Sequence, residues 1–235
     1  MKSKPSTILI DLHGATAKDL LERFGAVEES VDVLDLSIPD FLPRLNLFSV
    51  KNKEDIGIMA SDVVDSMRLW FQSSSGMRLE HILRHGIAGL MELEENLATL
   101  LPLLSFTAEG EKLQQKIITI TKNPEIKRFW TNEFRSYSKE ALLPIINKVS
   151  SLLMSNRIRK IFSFKHNAFD IEKTMDTGRN LCVRLSVGIL GVEVASLVAN
   201  LIISTIQKIG LRRASKSAEE LTPCYLFVDE CHRLK

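Results

Sequence analysis

The chain has 235 residues, 45% of them hydrophobic and 26% charged, enough to bury the core of one large domain or two small ones, which excludes disordered and fibrous classes. Lys and Arg total 31 against 29 Asp and Glu, a formal charge of +2, so there is no global basic field and any contact with nucleic acid has to be local. The three cysteines, Cys182, Cys224 and Cys231, do not form a disulfide framework and fit a reducing, cytoplasmic compartment.

The segment Met1 to Pro5 leads into a strand-like run too soon for a secretory signal. Thr7-Ile8-Leu9-Ile10 is short, apolar and β-branched and ends at Asp11, as a strand buried on both faces would. Thr16 suits the cap of a helix bearing Leu20, Leu21 and Phe24, and Val31 to Leu36 reads as a second strand. Strand, helix and strand in about thirty residues is the spacing of a βαβ unit in a parallel sheet.

From Asn52 to Lys165 the periodicity is helical. Leu79, Ile82, Leu83, Gly86, Ile87, Leu90 and Met91 form one stripe, and Leu142, Ile145, Ile146, Val149, Leu152 and Leu153 another. Asn123-Pro124 is a cap followed by proline at the first helical position, opening a helix through Phe129, Trp130 and Phe134. The sheet resumes with Asn180 to Leu185. A helix from Val192 to Ile209 follows, too apolar around its circumference for a surface position, yet Gly188, Gly191, Glu193 and Asn200 break the run from Val187 to Ile206 and argue against a membrane span. A basic loop through Arg212, Arg213 and Lys216 leads to the last strand, Tyr225 to Val228, and then Asp229-Glu230. The chain stops five residues later, and a compact domain rarely ends at the tip of a buried strand, so a fragment or a truncated reading frame is expected.

Tyr225-Leu226-Phe227-Val228-Asp229-Glu230 has the form of a Walker B strand, which delivers an Asp for Mg²⁺ and a Glu to polarise the attacking water. A buried strand ending in solvated acids has the same form. The phosphate-loop pattern Gly-x-x-x-x-Gly-Lys-Ser/Thr is absent, and the nearest pairing of glycine with lysine, Gly110 and Lys112, lies in the helical block. Tight ATP binding by this chain alone is therefore not expected.

Ile8-Leu9-Ile10-Asp11-Leu12-His13-Gly14, with Asp19-Leu20-Leu21 after it, resembles the Asp-Pro-His-Gly segment that follows the phosphate-loop helix in the HerA/FtsK superfamily of DNA-pumping ATPases. It is most similar to the branch of TraG/TraD-type conjugative coupling proteins of type IV secretion. The similarity continues through Arg78 to Arg84, Phe129-Trp130, Tyr137-Ser138-Lys139, Pro144 to Lys148, Arg157-Ile158-Arg159, Leu181 to Leu185, Leu190-Gly191 and Val228-Asp229-Glu230. Leu12 departs from the family's proline, and Cys231-His232 from a common aromatic-Gln pair. The resemblance begins after the family's phosphate loop and ends before its later strands, as for the middle of a motor subunit.

The resemblance implies an α/β fold, a RecA-like parallel sheet that is incomplete here, with a large all-α insertion. The expected division is 1–51 and 166–235 for the two parts of the α/β core, and 52–165 for the insertion. For the intact parent it implies ATP and Mg²⁺, DNA as partner, a homo-hexamer, and a cytoplasmic location with any membrane attachment supplied by other parts. Asp229 would handle Mg²⁺ and Glu230 would activate water. Asp11, His13 and Gly14 would lie near the nucleotide edge, although a strand terminus with a glycine turn has the same sequence. Arg157 and Arg159 suit either a cation offered to a neighbour's γ-phosphate or a basic helix end that complements its dipole. Lys208, Arg212, Arg213 and Lys216 read either as a DNA contact or as a solvated loop. His81 and His85, four apart, are at a spacing that can share a metal, but no third ligand follows and a solvated helix face is expected. Cys231-His232 has no second pair at zinc-finger spacing. The competing function is a non-catalytic remnant or a protein- or DNA-binding module.

Overall fold

A computed structural model describes residues 4–24, 31–38, 43–46, 48–67, 76–167, 169–214, 217 and 221–231. The chain divides into two compact units, Met1–Pro43 with Ala168–Lys235, and Arg44–Asn167.

The first unit is built on four parallel strands, β1 (Ser6–Asp11), β2 (Val31–Asp35), β3 (Asn180–Arg184) and β4 (Cys224–Asp229), in the order β2-β3-β1-β4. Ile8 and Ile10 of β1 and Val183 of β3 are fully buried on one face, and the register partners Leu9 and Cys182 are buried on the other, which is the two-sided burial that a parallel sheet imposes and that their apolar sequence matches. Helix α1 (Ala15–Phe24) follows β1 and sets Ala17 against Leu9 and Cys182.

The second unit is helical at every described element: α2 (Ile56–Met67), α3 (Met77–Leu93), α4 (Leu100–Leu103), α5 (Ala108–Ile120), α6 (Pro124–Arg128), α7 (Lys139–Leu153) and α8 (Asn156–Ile161), with short 3₁₀ turns between some of them. The stripe of α3 is buried throughout, and that of α7 except at Ile146. The unit takes in Leu45, Asn46 and Phe48 on its entry side, all buried. Asn46 ties entry to exit: its backbone N–H donates to Asn167 Oδ1 at 2.6 Å and its Nδ2 donates to the Lys165 carbonyl at 2.8 Å.

Asn123 caps α6 as expected, accepting from the N–H groups of Glu125 and Ile126. The helix does not continue as an α-helix, however. Phe129–Glu133 is a π-turn and Phe134–Ser136 a 3₁₀ turn. The change of pitch lets Phe129, Trp130 and Phe134 all point inward, each no more than 1% exposed, with Trp130 and Phe134 ring centroids 4.9 Å apart. Gly89 on α3 makes room for them, since a Cβ there would stand 2.6 Å from Ile117 Cδ1 and 3.2 Å from Trp130 Nε1.

Three further expectations change. His81 and His85 are not a solvated face: His85 stacks on Phe129 at 4.2 Å, and His81 Nε2 lies 2.7 Å from Glu133 Oε1, which also accepts from Tyr137 Oη at 2.6 Å. Burial pushes the His85 pKa down; the Tyr137 hydroxyl holds Glu133 low; and burial pushes Tyr137 up to about 12. Helix α9 (Ile171–Thr177) precedes β3, and the chain after β3 forms α10 (Val187–Leu190) and α11 (Val192–Arg213), so Arg212 and Arg213 end a helix and do not lie in a loop. Arg213 is buried, donating to the Thr222 carbonyl at 2.6 Å and lying 3.3 Å from Asp176, while Arg212 pairs with Glu172. The supposed basic patch is thus spent on internal contacts at these two positions, and Lys216, like His232, lies outside the described residues.

Helix α11 is long and apolar enough by composition to cross a membrane, but half of its most apolar window is buried inside the protein. Its first half is buried around most of its circumference, from Val194 to Ile202, and its second half along the single stripe Ile202, Ile206, Ile209 and Arg213. That pattern belongs to a crossover helix entering a core.

Candidate functional site

Each strand ends in an ionisable residue, and the parallel register puts them in one row. Asp35 pairs with Arg184, Arg184 with Asp11, and Asp11 with Asp229. The row lies along the carboxyl edge of the sheet, where α/β folds bind their ligands.

Asp11 is fully buried. Its Oδ1 accepts from the N–H groups of His13 at 2.9 Å and Gly14 at 2.7 Å, and its Oδ2 from that of Ala17 at 2.7 Å. The carboxylate therefore caps α1 and folds the turn before it, the service expected of Thr16. Gly14 has φ 84°, and a Cβ there would meet Ser186 Oγ at 2.6 Å and Arg184 Nε at 2.7 Å. Glycine is required on both counts. His13 is exposed at this edge.

Relieved of the cap, Thr16 donates its hydroxyl to Asp229 Oδ2 at 2.9 Å. Asp229 and Glu230 are half-buried, and Glu230 takes a left-handed conformation with φ 58°. Ser186, at φ 49°, is a second such non-glycine residue at the same edge. Such strain is held in place by surrounding contacts and gathers at functional sites. Here the contacts are visible: the Leu185 N–H donates to the Asp11 carbonyl at 2.9 Å, and the Val187 N–H to the Leu12 carbonyl at 2.8 Å.

Arg184 escaped the sequence reading. Its Nε donates to the Gly14 carbonyl at 3.0 Å and its Nη1 lies 3.0 Å from Asp35 Oδ2. It braces the β1–α1 turn against β2. The available signal was an arginine ending an otherwise apolar strand. Neighbouring Cys182 is buried, and burial with the nearby carboxylates of Asp11 and Asp35 pushes its thiol up to about 11, which makes it an inert core residue.

The row brings together Asp11, Gly14 and Asp229, with His13 and Glu230 adjoining. Asp229 suits Mg²⁺: it is a partly exposed carboxylate, and hard oxygen donors of this kind hold the ion directly or through water. Asp11 does not, because three backbone donors occupy it. Arg157 and Arg159 belong to α8 of the helical unit, where Arg159 is exposed and donates to Asn156. Gly110 stands in the first turn of α5, capped by Thr107, so that segment forms no phosphate cradle.

No protein-family profile matches the chain, and no curated protein matches it. Solved structures do. The bacterial conjugative coupling protein TrwB lacking its N-terminal segment, in an unbound monoclinic form, matches 99% of this chain and 50% of its own with a TM-score of 0.57 at 14% identity. Its trigonal form in complex with sulphate gives 0.56 at 15% identity over 99% and 51%. TrwB in complex with the ATP analogue ADPNP gives 0.51 at 17% identity over 99% and 51%. The chain spans about half the length of these proteins and has their α/β fold, with a RecA-like all-parallel sheet.

Proposed function

We propose that this chain is part of an ATP-driven DNA-translocating motor of the HerA/FtsK or conjugative coupling type, a homo-hexamer when complete and acting in the cytoplasm. The observation that supports it most is the row of strand-end charges closing on Asp229, followed by Glu230 in a strained conformation. Asp229, steadied by Thr16, would hold Mg²⁺. The ion, when bound, would supply positive charge against the negative charge of the phosphates. Glu230 would orient and deprotonate the attacking water. Asp11 and Arg184 act one step back, by fixing the turn that carries His13, Gly14 and Thr16. The neighbouring fold has been solved with an ATP analogue bound, which suits this reading.

Turnover also needs a phosphate-binding loop, which these 235 residues lack. That absence favours a second reading for the chain by itself, a non-catalytic binding module. The two readings part in a protein extended to include such a loop. There Glu230→Gln should bind ATP but lower turnover about 10²-fold or more, whereas Asp229→Asn should weaken Mg²⁺-dependent nucleotide binding as well. Steady-state hydrolysis beside equilibrium nucleotide binding measures both. Near-normal turnover in Glu230→Gln would sink the Walker B assignment, and hydrolysis by the unextended chain would sink the need for an external loop.

A further inference from the structure

Charge is unevenly placed in the helical unit. Residues 44–140 carry thirteen Lys and Arg against thirteen Asp and Glu. Residues 141–167 carry Lys148, Arg157, Arg159, Lys160 and Lys165, with His166, and no acidic residue at all. The whole positive excess of the unit therefore sits on α7, α8 and the turn after them.

The structure shows which side of this segment is spent on packing. Leu142, Ile145, Val149 and Leu152 of α7, and Ile158, Ile161 and Phe162 at α8, are buried. Arg159, Lys160, Lys165 and His166 are exposed, and Lys148 and Arg157 half-buried. Lys165 meets Glu95 at 2.7 Å. Ser163 Oγ bonds back to the Arg159 carbonyl, which holds the turn compact against the helix. Arg159 and Lys160 complement the dipole of α8, Glu95 meets Lys165 from outside the segment and Glu140 opens α7, but residues 141–167 supply no acid of their own for the remaining positive charge.

We infer that the exposed basic face of α7, α8 and the following turn is a docking surface for the phosphate backbone of DNA. Most apolar residues of these helices are already buried, and the exposed Leu143 and Met154 are two side chains eleven residues apart, too few for insertion into a lipid surface. The rest of the outer side is cationic and interleaved with the exposed hydrogen-bonding residues Asn147, Ser155, Asn156 and Ser163, the mixture that positions a protein on phosphates without reading bases. The inference deepens the DNA-handling part of the proposed function and does not involve its nucleotide chemistry.

The test uses the full chain without nucleotide, measuring anisotropy of a fluorescein-labelled duplex while salt rises from about 50 to 200 mM. Contacts to about three phosphates predict a slope of log K on log salt near −3. Arg159→Glu with Lys160→Glu should weaken binding about 10-fold or more, and Arg159→Gln with Lys160→Gln by less, with the helical circular-dichroism spectrum unchanged. Lys112→Glu with Lys116→Glu makes the same charge change at exposed positions of α5 and should leave binding within about two-fold. Equal losses in the two reversals, or no duplex binding by the parent chain, would overturn the inference. So would binding to phosphatidylserine vesicles that the α8 reversal abolishes while duplex binding persists. Because no ATP is present, failure here leaves the Asp229–Glu230 assignment standing.

Discussion

Asp11 shows how one side chain can organise a site without entering its chemistry. Its buried carboxylate satisfies three backbone N–H groups, and removing it leaves three donors without an acceptor. Asp11→Ala is expected to cost about 3 kcal/mol or more, from unsatisfied buried groups, and Asp11→Asn, which keeps one acceptor oxygen, about 1–2 kcal/mol. Urea denaturation of the three proteins checks this, and an unchanged midpoint for Asp11→Ala would mean that water replaces the carboxylate. The sequence placed Asp11 at a strand end before a glycine turn, which is correct. It assigned the cap to Thr16 because capping is ordinarily local, whereas the acceptor here comes from six residues before the donor at Ala17.

Among the elements, the turn from Phe129 to Tyr137 carries the strongest coupling between packing and protonation. His85 takes up its proton less readily when folded, so the unfolded chain binds more protons below the ordinary histidine value of about 6.5. Stability should fall as the pH drops through that value. Glu133, also held low, adds stability that is lost further into acid as its carboxylate protonates. Tyr137 keeps its proton to about 12 when folded but only to about 10 when unfolded, so stability should fall again above that lower value. Melting temperatures across the pH range should show a plateau with both limbs descending. His85→Phe preserves the stack on Phe129 and should flatten the first part of the acid limb; a limb of unchanged depth near pH 6 would assign it to other groups.

For the molecule as a whole, the two units make different demands. The helical unit closes on itself through Asn46, and its stripes bury one another. Residues 44–167 expressed alone should give a helical circular-dichroism spectrum and a sigmoidal melt, as local helical contacts permit; a coil spectrum would show dependence on the sheet. The sheet unit differs. β4 has the composition of an interior strand but stands at the edge, with Tyr225 55% and Phe227 57% exposed on one face and Leu226 38% on the other. Edge strands ordinarily carry charge or proline to prevent pairing. The chain should therefore self-associate in sedimentation experiments, and Tyr225→Lys with Phe227→Lys should reduce the association; a monodisperse parent would show the edge to be protected.

Short, mostly apolar runs and helical stripes of matching period were enough to read the strands, an all-α block and the place of Asp229 and Glu230 at a strand end. These features depend on near neighbours and on the burial that each element demands, and both are written locally. The order β2-β3-β1-β4, by contrast, joins segments more than a hundred residues apart, and only that pairing sets Asp35, Arg184, Asp11 and Asp229 in one row. The brace from Arg184 to Gly14 and the hydroxyl of Thr16 on Asp229 both follow from it. A side chain's partner is fixed by where the backbone folds it, and no local pattern records a hydrogen bond made across 170 or 213 residues.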